Sequence, residues 1–452
     1  MPHAQCQRPG SPPIDSRLRP LSILGIDWVL LILYKMALDY HYLAASSKIF
    51  DYLGVRGDLQ FEKYAIGWII TLALYVPVIL MRRPMMQFAY HLFFIFSTAP
   101  SISLFGLSNQ NSSYMAVVVF YWAIVATLFV LFSRLRNVPP RSPLLANFQG
   151  GEYFAMTAGL IATIYLYLSL GPENTADIMH SYDVRTDFYD RAAWYQVYIM
   201  NWTGIVFLPV AFAKFADRRK WLPCLIIVGD SIVLFSVSGQ KAWLFLCPVI
   251  LFIILASRLF GMATLRLFTA GSTALLAFTA FGPFRTVTFV SIVDRTYLVL
   301  SEVAYYYLDF FQNGEFLLLS ETALGNFVNS PYSTSVSGLI ADQYMEGAYY
   351  RNATSGLIPD AYGNFGLLGI IVYPILIVAL VRLLDHLTNY MSVGVAMSVI
   401  FVVIYQAQNM PFSTLLVSGG VILLLTWLAV GYNRFKTAAC VTAPTEEALA
   451  SA

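Results

Sequence analysis

Apolar runs long enough to cross ~30 Å of hydrocarbon, about 20 residues at helical rise, recur along this 452-residue chain. They fall near 21–45, 63–81, 85–107, 113–133, 152–171, 196–216, 221–238, 242–260, 265–285, 363–384, 390–408 and 412–432. A backbone in hydrocarbon must satisfy its own hydrogen bonds, so each run is expected to be a helix. The rest of the chain agrees: 58% apolar residues against 12% charged is far from the composition of a soluble domain. The expected fold class is an all-α polytopic membrane protein with about 12 transmembrane helices.

Orientation follows from where the charge lies, and the net value of +2 says little. Alternating the loops, with both termini on one side, gathers Arg82, Arg83, Arg134, Arg136, Arg218, Arg219, Lys220, Arg382 and Arg434 on the terminal side. Asp51, Asp58, Glu62, Glu173, Asp177 and Asp183 fall opposite. Short positive loops face the cytoplasm, which predicts cytoplasmic segments at 1–20 and 433–452. Spans then occupy 21–285 and 363–432, with one outer loop at 172–195 and a large one at 286–362, both on the external side. The first span serves as the targeting signal, and no cleaved leader is expected.

The 286–362 segment is the one long polar stretch between spans, and conserved scaffolds tend to carry their chemistry on such loops. Within it, Val293 to Phe311 is apolar enough to compete as a further span. Arg295, Glu302 and Asp309 recur there at seven-residue spacing, which predicts one amphipathic helix at the interface. The 172–195 loop mixes His180, acids, arginines and aromatics, a set suited to carbohydrate and, charge by charge, equally to an ordinary solvated loop. Lys241 stands in the tight turn Ser238-Gly239-Gln240-Lys241. Arg285 and Arg351 stand at other span boundaries on that face, and clustered cations at headgroup depth suit a lipid-linked phosphate. Inside the spans, Asp27, Lys35 and Asp39 share one helical face and read best as pairs that lock helices. Asp230 lies mid-span. The four cysteines (Cys6, Cys224, Cys247, Cys440) have no metal-ligand spacing, and no nucleotide, zinc-protease or serine-hydrolase motif is present. No metal, cofactor or nucleic-acid partner is expected.

Twelve spans, a large late loop, the Ser-Gly-Gln-Lys turn and the passage Gly356-Leu-Ile-Pro-Asp-Ala-Tyr-Gly-Asn-Phe-Gly-Leu-Leu-Gly369 together resemble the bacterial O-antigen and oligosaccharide repeat-unit polymerases of the Wzy type. The resemblance implies a GT-C-like glycosyltransferase of polysaccharide biosynthesis. Such an enzyme joins an undecaprenyl-pyrophosphate-linked oligosaccharide donor to a lipid-linked acceptor in the bilayer, with a chain-length regulator as a further partner. Lys241, Arg285 and Arg351, with Arg295, would then hold phosphate, and Asp360, Glu302 or His180 would be the base. Two rivals share the architecture. An O-antigen ligase is expected to carry a histidine in its large loop, and residues 286–362 have none. A lipid-linked oligosaccharide exporter is expected to show repeated halves, and no internal repeat is found.

Overall fold

The computed structural model describes residues 21–50, 55–135, 151–171, 181–281, 285–322, 325, 328–345, 353 and 356–430. Among them there is no strand, and a helix occupies each of the twelve apolar runs. Nine helices among the described residues are long and apolar enough to cross a membrane by length and composition. One of these, Ala242–Ala280, bends where Gly261 takes φ 54°, giving helices Ala242–Phe260 and Thr264–Ala280. Two further helices occupy the remaining runs. Leu21–His41 carries Asp27, Lys35 and Asp39, and Val393–Asn409 has only 17 residues.

Val393–Asn409 is buried almost throughout and packs against Pro84–Leu107, Trp194–Asp217, Ala242–Phe260 and Leu357–Leu387. Pro84–Leu107 and Trp194–Asp217 are the most buried of the long helices, and both are interrupted in the same way. Pro100 and Pro209 have no N–H to give the carbonyls of Phe96 and Ile205. A widened π-helical turn, Phe94–Thr98 in one and Thr203–Phe207 in the other, absorbs the defect just before each proline.

The charges inside the bundle are paired, as the helical spacing suggested. Lys35 Nζ lies 2.7 Å from both Asp39 oxygens and 4.9 Å above the Trp68 ring, and Tyr64 donates to the same carboxylate. Asp27 pairs with Arg266 at 2.6 Å and fastens the first helix along Thr264–Ala280. At that same end of the bundle, Asp385 accepts from Arg83 and Arg382, and both guanidinium groups also reach the Leu135 carbonyl. Breaking the fully buried Lys35–Asp39 pair by removing one partner costs about 3–5 kcal/mol. Asp230 differs: its Oδ2 is buried with no hydrogen-bond partner beside Gly159, although the Thr163 hydroxyl is adjacent.

At the opposite end, here called the loop face, the 286–362 segment builds a small core of its own from Val303, Tyr307, Phe311, Leu317, Val336 and Ile340. The single amphipathic helix expected over 293–311 is two helices, Val287–Tyr297 and Val299–Asn313, broken at Leu298. Its polar face is only partly covered: Glu302 is buried, while Asp309 stays exposed. Glu302 and Asp309 both turn to the 108–114 connection, where Gln110 donates to Glu302 and Tyr114 to Asp309. The chain enters the tenth apolar run through Pro359. It is helical from Leu357, because Pro359 sits in the first turn, where its missing N–H breaks no bond. The kink comes later, at Gly366 (φ 56°), where an added Cβ would lie 2.7 Å from the Phe316 ring.

Candidate functional site

Two of the cations singled out from sequence line one groove. Lys241 caps the Ala242–Phe260 helix, and Arg295 projects from Val287–Tyr297. Both border a cleft of about 450 Å³ between these helices, Thr264–Ala280 and the widened turn of Pro84–Leu107. Its deeper lining is apolar and aromatic: Phe96, Phe252, Phe268 and Phe401, with Tyr405. A cleft of this size is within the range of small-molecule sites. Its arrangement, cations toward the loop face and hydrocarbon below, matches an amphiphile with an anionic head.

The Lys241 turn is held by the second loop that the sequence marked. Gly239 takes φ 64°, and an added Cβ would lie 2.3 Å from the Ser181 carbonyl oxygen and 2.8 Å from the Arg185 nitrogen. Only glycine fits between the turn and the Ser181–Arg191 helix. Gln240 donates to the Tyr189 hydroxyl at 3.0 Å, and the Arg185 guanidinium sits over the Tyr189 ring. Arg185 and Tyr189 are therefore neighbours of the Lys241 turn that sequence reasoning left among the loop charges. The strict backbone demand at Gly239 was the available signal.

The remaining candidates are dispersed. Arg285 is exposed next to the Thr286 cap and is not among the residues lining the cleft. His180 and Arg351 lie outside the described residues. Glu302 is buried; its Oε1 accepts from Gln110 at 3.2 Å and its Oε2 has no hydrogen-bond partner. Burial pushes its carboxyl up to about 8. Around it stand Tyr42, Tyr305 and Tyr306. Tyr306 stacks on Tyr344 with centroids 5.0 Å apart.

Asp360, one of the candidate bases, is not among the residues lining the cleft. It is buried, Oδ2 accepts from the Phe412 backbone N–H at 2.7 Å, and Oδ1 accepts from Asn364 at 2.8 Å. It ties the start of Leu357–Leu387 to the start of the last helix. The passage Gly356 to Gly369 thus works as a seam. Leu317 donates to the Gly363 carbonyl and Leu319 to the Asn364 side chain, with Leu318 and Leu319 both at positive φ (48° and 70°). Two consecutive leucines in that region are strained and are kept only by surroundings that over-determine them.

Among the described residues, no group of three or more His, Cys, Asp or Glu converges as metal ligands would. Comparison with known proteins adds no identity: no family model, curated protein or solved structure matches the chain. The functional reading therefore rests on the cleft, its two cations and the elements that hold them.

Proposed function

We propose that this chain is a glycosyltransferase of the membrane, with a GT-C-like arrangement of twelve spans, that polymerises lipid-linked oligosaccharide repeat units. The growing glycan would pass from undecaprenyl pyrophosphate to the next lipid-linked unit on the outer side of a bacterial inner membrane. The observation that carries this reading is the shared cleft of Lys241 and Arg295, with hydrocarbon below the cations. A glycosyl pyrophosphate donor brings its own activation, so such a reaction needs cations to stabilise the departing pyrophosphate and a base for the acceptor hydroxyl. Lys241 and Arg295 would serve the first role. Glu302, buried and with one oxygen unpartnered, suits the second better than Asp360, whose oxygens are both occupied.

A second reading, export of the same lipid-linked glycan, draws on Asp230. A carboxylate inside a span with no cation beside it is the kind of group that transporters use to couple protons. Deleting the gene and resolving the surface polysaccharide on a gel separates the two. A polymerase deletion keeps one repeat unit and loses the long-chain ladder. Loss of all surface glycan would favour the exporter and overturn the polymerase reading.

A further inference from the structure

Arg295 borders the cleft, and the residue before it, Asp294, is buried. On the Val287–Tyr297 helix, Ser291, Ile292, Arg295, Thr296 and Tyr297 border the cleft, whereas Val290, Val293 and Asp294 are buried against the bundle. Asp294 is the hub of that buried face. Its Oδ1 accepts from His41 Nε2 at 2.7 Å and from the Ser46 hydroxyl at 2.7 Å. The other imidazole nitrogen, Nδ1, lies 3.0 Å from the Thr279 hydroxyl. His41 and Thr279 have no solvent exposure and Asp294 only 3%. One carboxylate thus joins the last residue of the first helix, the π turn after it, the Thr264–Ala280 helix and the cleft wall. A second bond, from the Tyr297 hydroxyl to Ser272 at 2.8 Å, fixes the same wall one turn further on.

We infer that Asp294 and His41 form a buried clamp that sets the rotation of the Val287–Tyr297 helix, and so the position of Arg295 for an anionic headgroup, without either touching the ligand. Both are positioning residues. Adjacent residues on a helix point about 100° apart, so fixing one side chain inward fixes its neighbour toward the cleft. The inference rests on the proposed phosphate role for the cleft, and a lone hydrophobic face on this helix would leave its rotation less defined. Burying Asp294 also makes its hydrogen bonds obligatory, since an unpartnered charge there is expensive.

The test has two arms, each in the full chain purified in detergent. In the first, Thr296→Cys is placed in a variant whose four native cysteines are serine, and its reaction rate with a charged methanethiosulfonate is measured. Asp294→Ala or His41→Ala should change that rate about tenfold, the scale of a ~1.4 kcal/mol shift in wall position. Asp294→Asn, which keeps an acceptor oxygen for Ser46 and His41, should stay near the parent rate. In the second arm, binding of geranylgeranyl pyrophosphate is measured. Asp294→Ala should weaken it when Arg295 is present and add nothing in an Arg295→Ala background, because coupled residues are not additive. Unchanged cysteine reactivity in both alanine variants would overturn the clamp. So would an equal loss of binding in both Arg295 backgrounds. A parent protein that fails to bind the pyrophosphate probe would sink the phosphate reading of the cleft, while the cysteine arm still decides the clamp.

Discussion

Lys241 and Arg295 border the same apolar cleft although one caps a helix in the bundle and the other stands on a helix of the 286–362 segment. The cleft therefore exists only when that segment is docked on the bundle. A loop held by one small core of its own and by buried polar links to the first helix is placed, not loosely tethered. That relation lets the two parts of the chain be tested against each other.

Gly239 should tolerate no side chain. Its φ of 64° is strained for any other residue by about 1–2 kcal/mol, and a Cβ would strike the Ser181 carbonyl. Gly239→Ala is expected to push the Ser181–Arg191 helix from the Lys241 turn and to lower activity about tenfold or more, since a ~1 Å misplacement can matter that much. Proteolysis of the 181–191 segment should accelerate in the variant. Parent-like activity and proteolysis would mean the turn and the helix are not coupled.

Glu302 should make stability depend on pH. Its folded-state value, about 8, lies above the ordinary 4.5, so between these values the folded protein binds the extra proton. Stability is then full below the ordinary value and falls as pH rises through about 8. The melting temperature of the detergent-solubilised protein should drop between mildly acidic and mildly alkaline buffer, and Glu302→Gln should flatten that drop. An identical pH profile in the variant would remove Glu302 as its source.

Asp360 should behave as a structural cap. Asp360→Ala leaves the Phe412 N–H and the Asn364 amide without their partner and should destabilise by about 1–3 kcal/mol. The two donors approach different oxygens of Asp360, so Asp360→Asn turns an amide NH2 toward one of them and should also lower the melting temperature. Full thermal stability together with abolished activity in Asp360→Asn would instead make it a catalytic base.

Much of this was legible in the chain, for physical reasons. Twelve apolar runs give twelve helices because hydrocarbon leaves a backbone no other way to satisfy itself, and the i,i+4 spacing of Lys35 and Asp39 announced their pairing. The cleft was not legible, because its walls come from residues between Phe96 and Tyr405 that meet only in the fold. The burial of Glu302 was not legible because seven-residue spacing reports a shared face but not what covers it, and here Gln110 does. The bond that Asp360 makes was hidden for a similar reason: the Phe412 N–H it accepts from is distant in sequence. The clamp at Asp294 was overlooked since His41 and Asp294 carry no spacing signal between them.

Orientation is open to direct labelling. The asymmetry of Lys and Arg predicts that Ser330→Cys reacts with a membrane-impermeant thiol reagent in intact spheroplasts, while Arg219→Cys does not. The reverse pattern would put the 286–362 segment in the cytoplasm and remove a periplasmic polymerase from consideration.

The most direct measurement is chain growth by the purified protein in proteoliposomes, supplied with lipid-linked repeat units and no nucleotide. The parent should produce a ladder of lengthening glycans. Lys241→Ala and Arg295→Ala should each lower its rate by about 10²–10³, the loss expected when one charge-stabilising group is removed, while inserting and melting like the parent. A parent that yields no ladder, or both variants growing chains at the parent rate, would contradict the account.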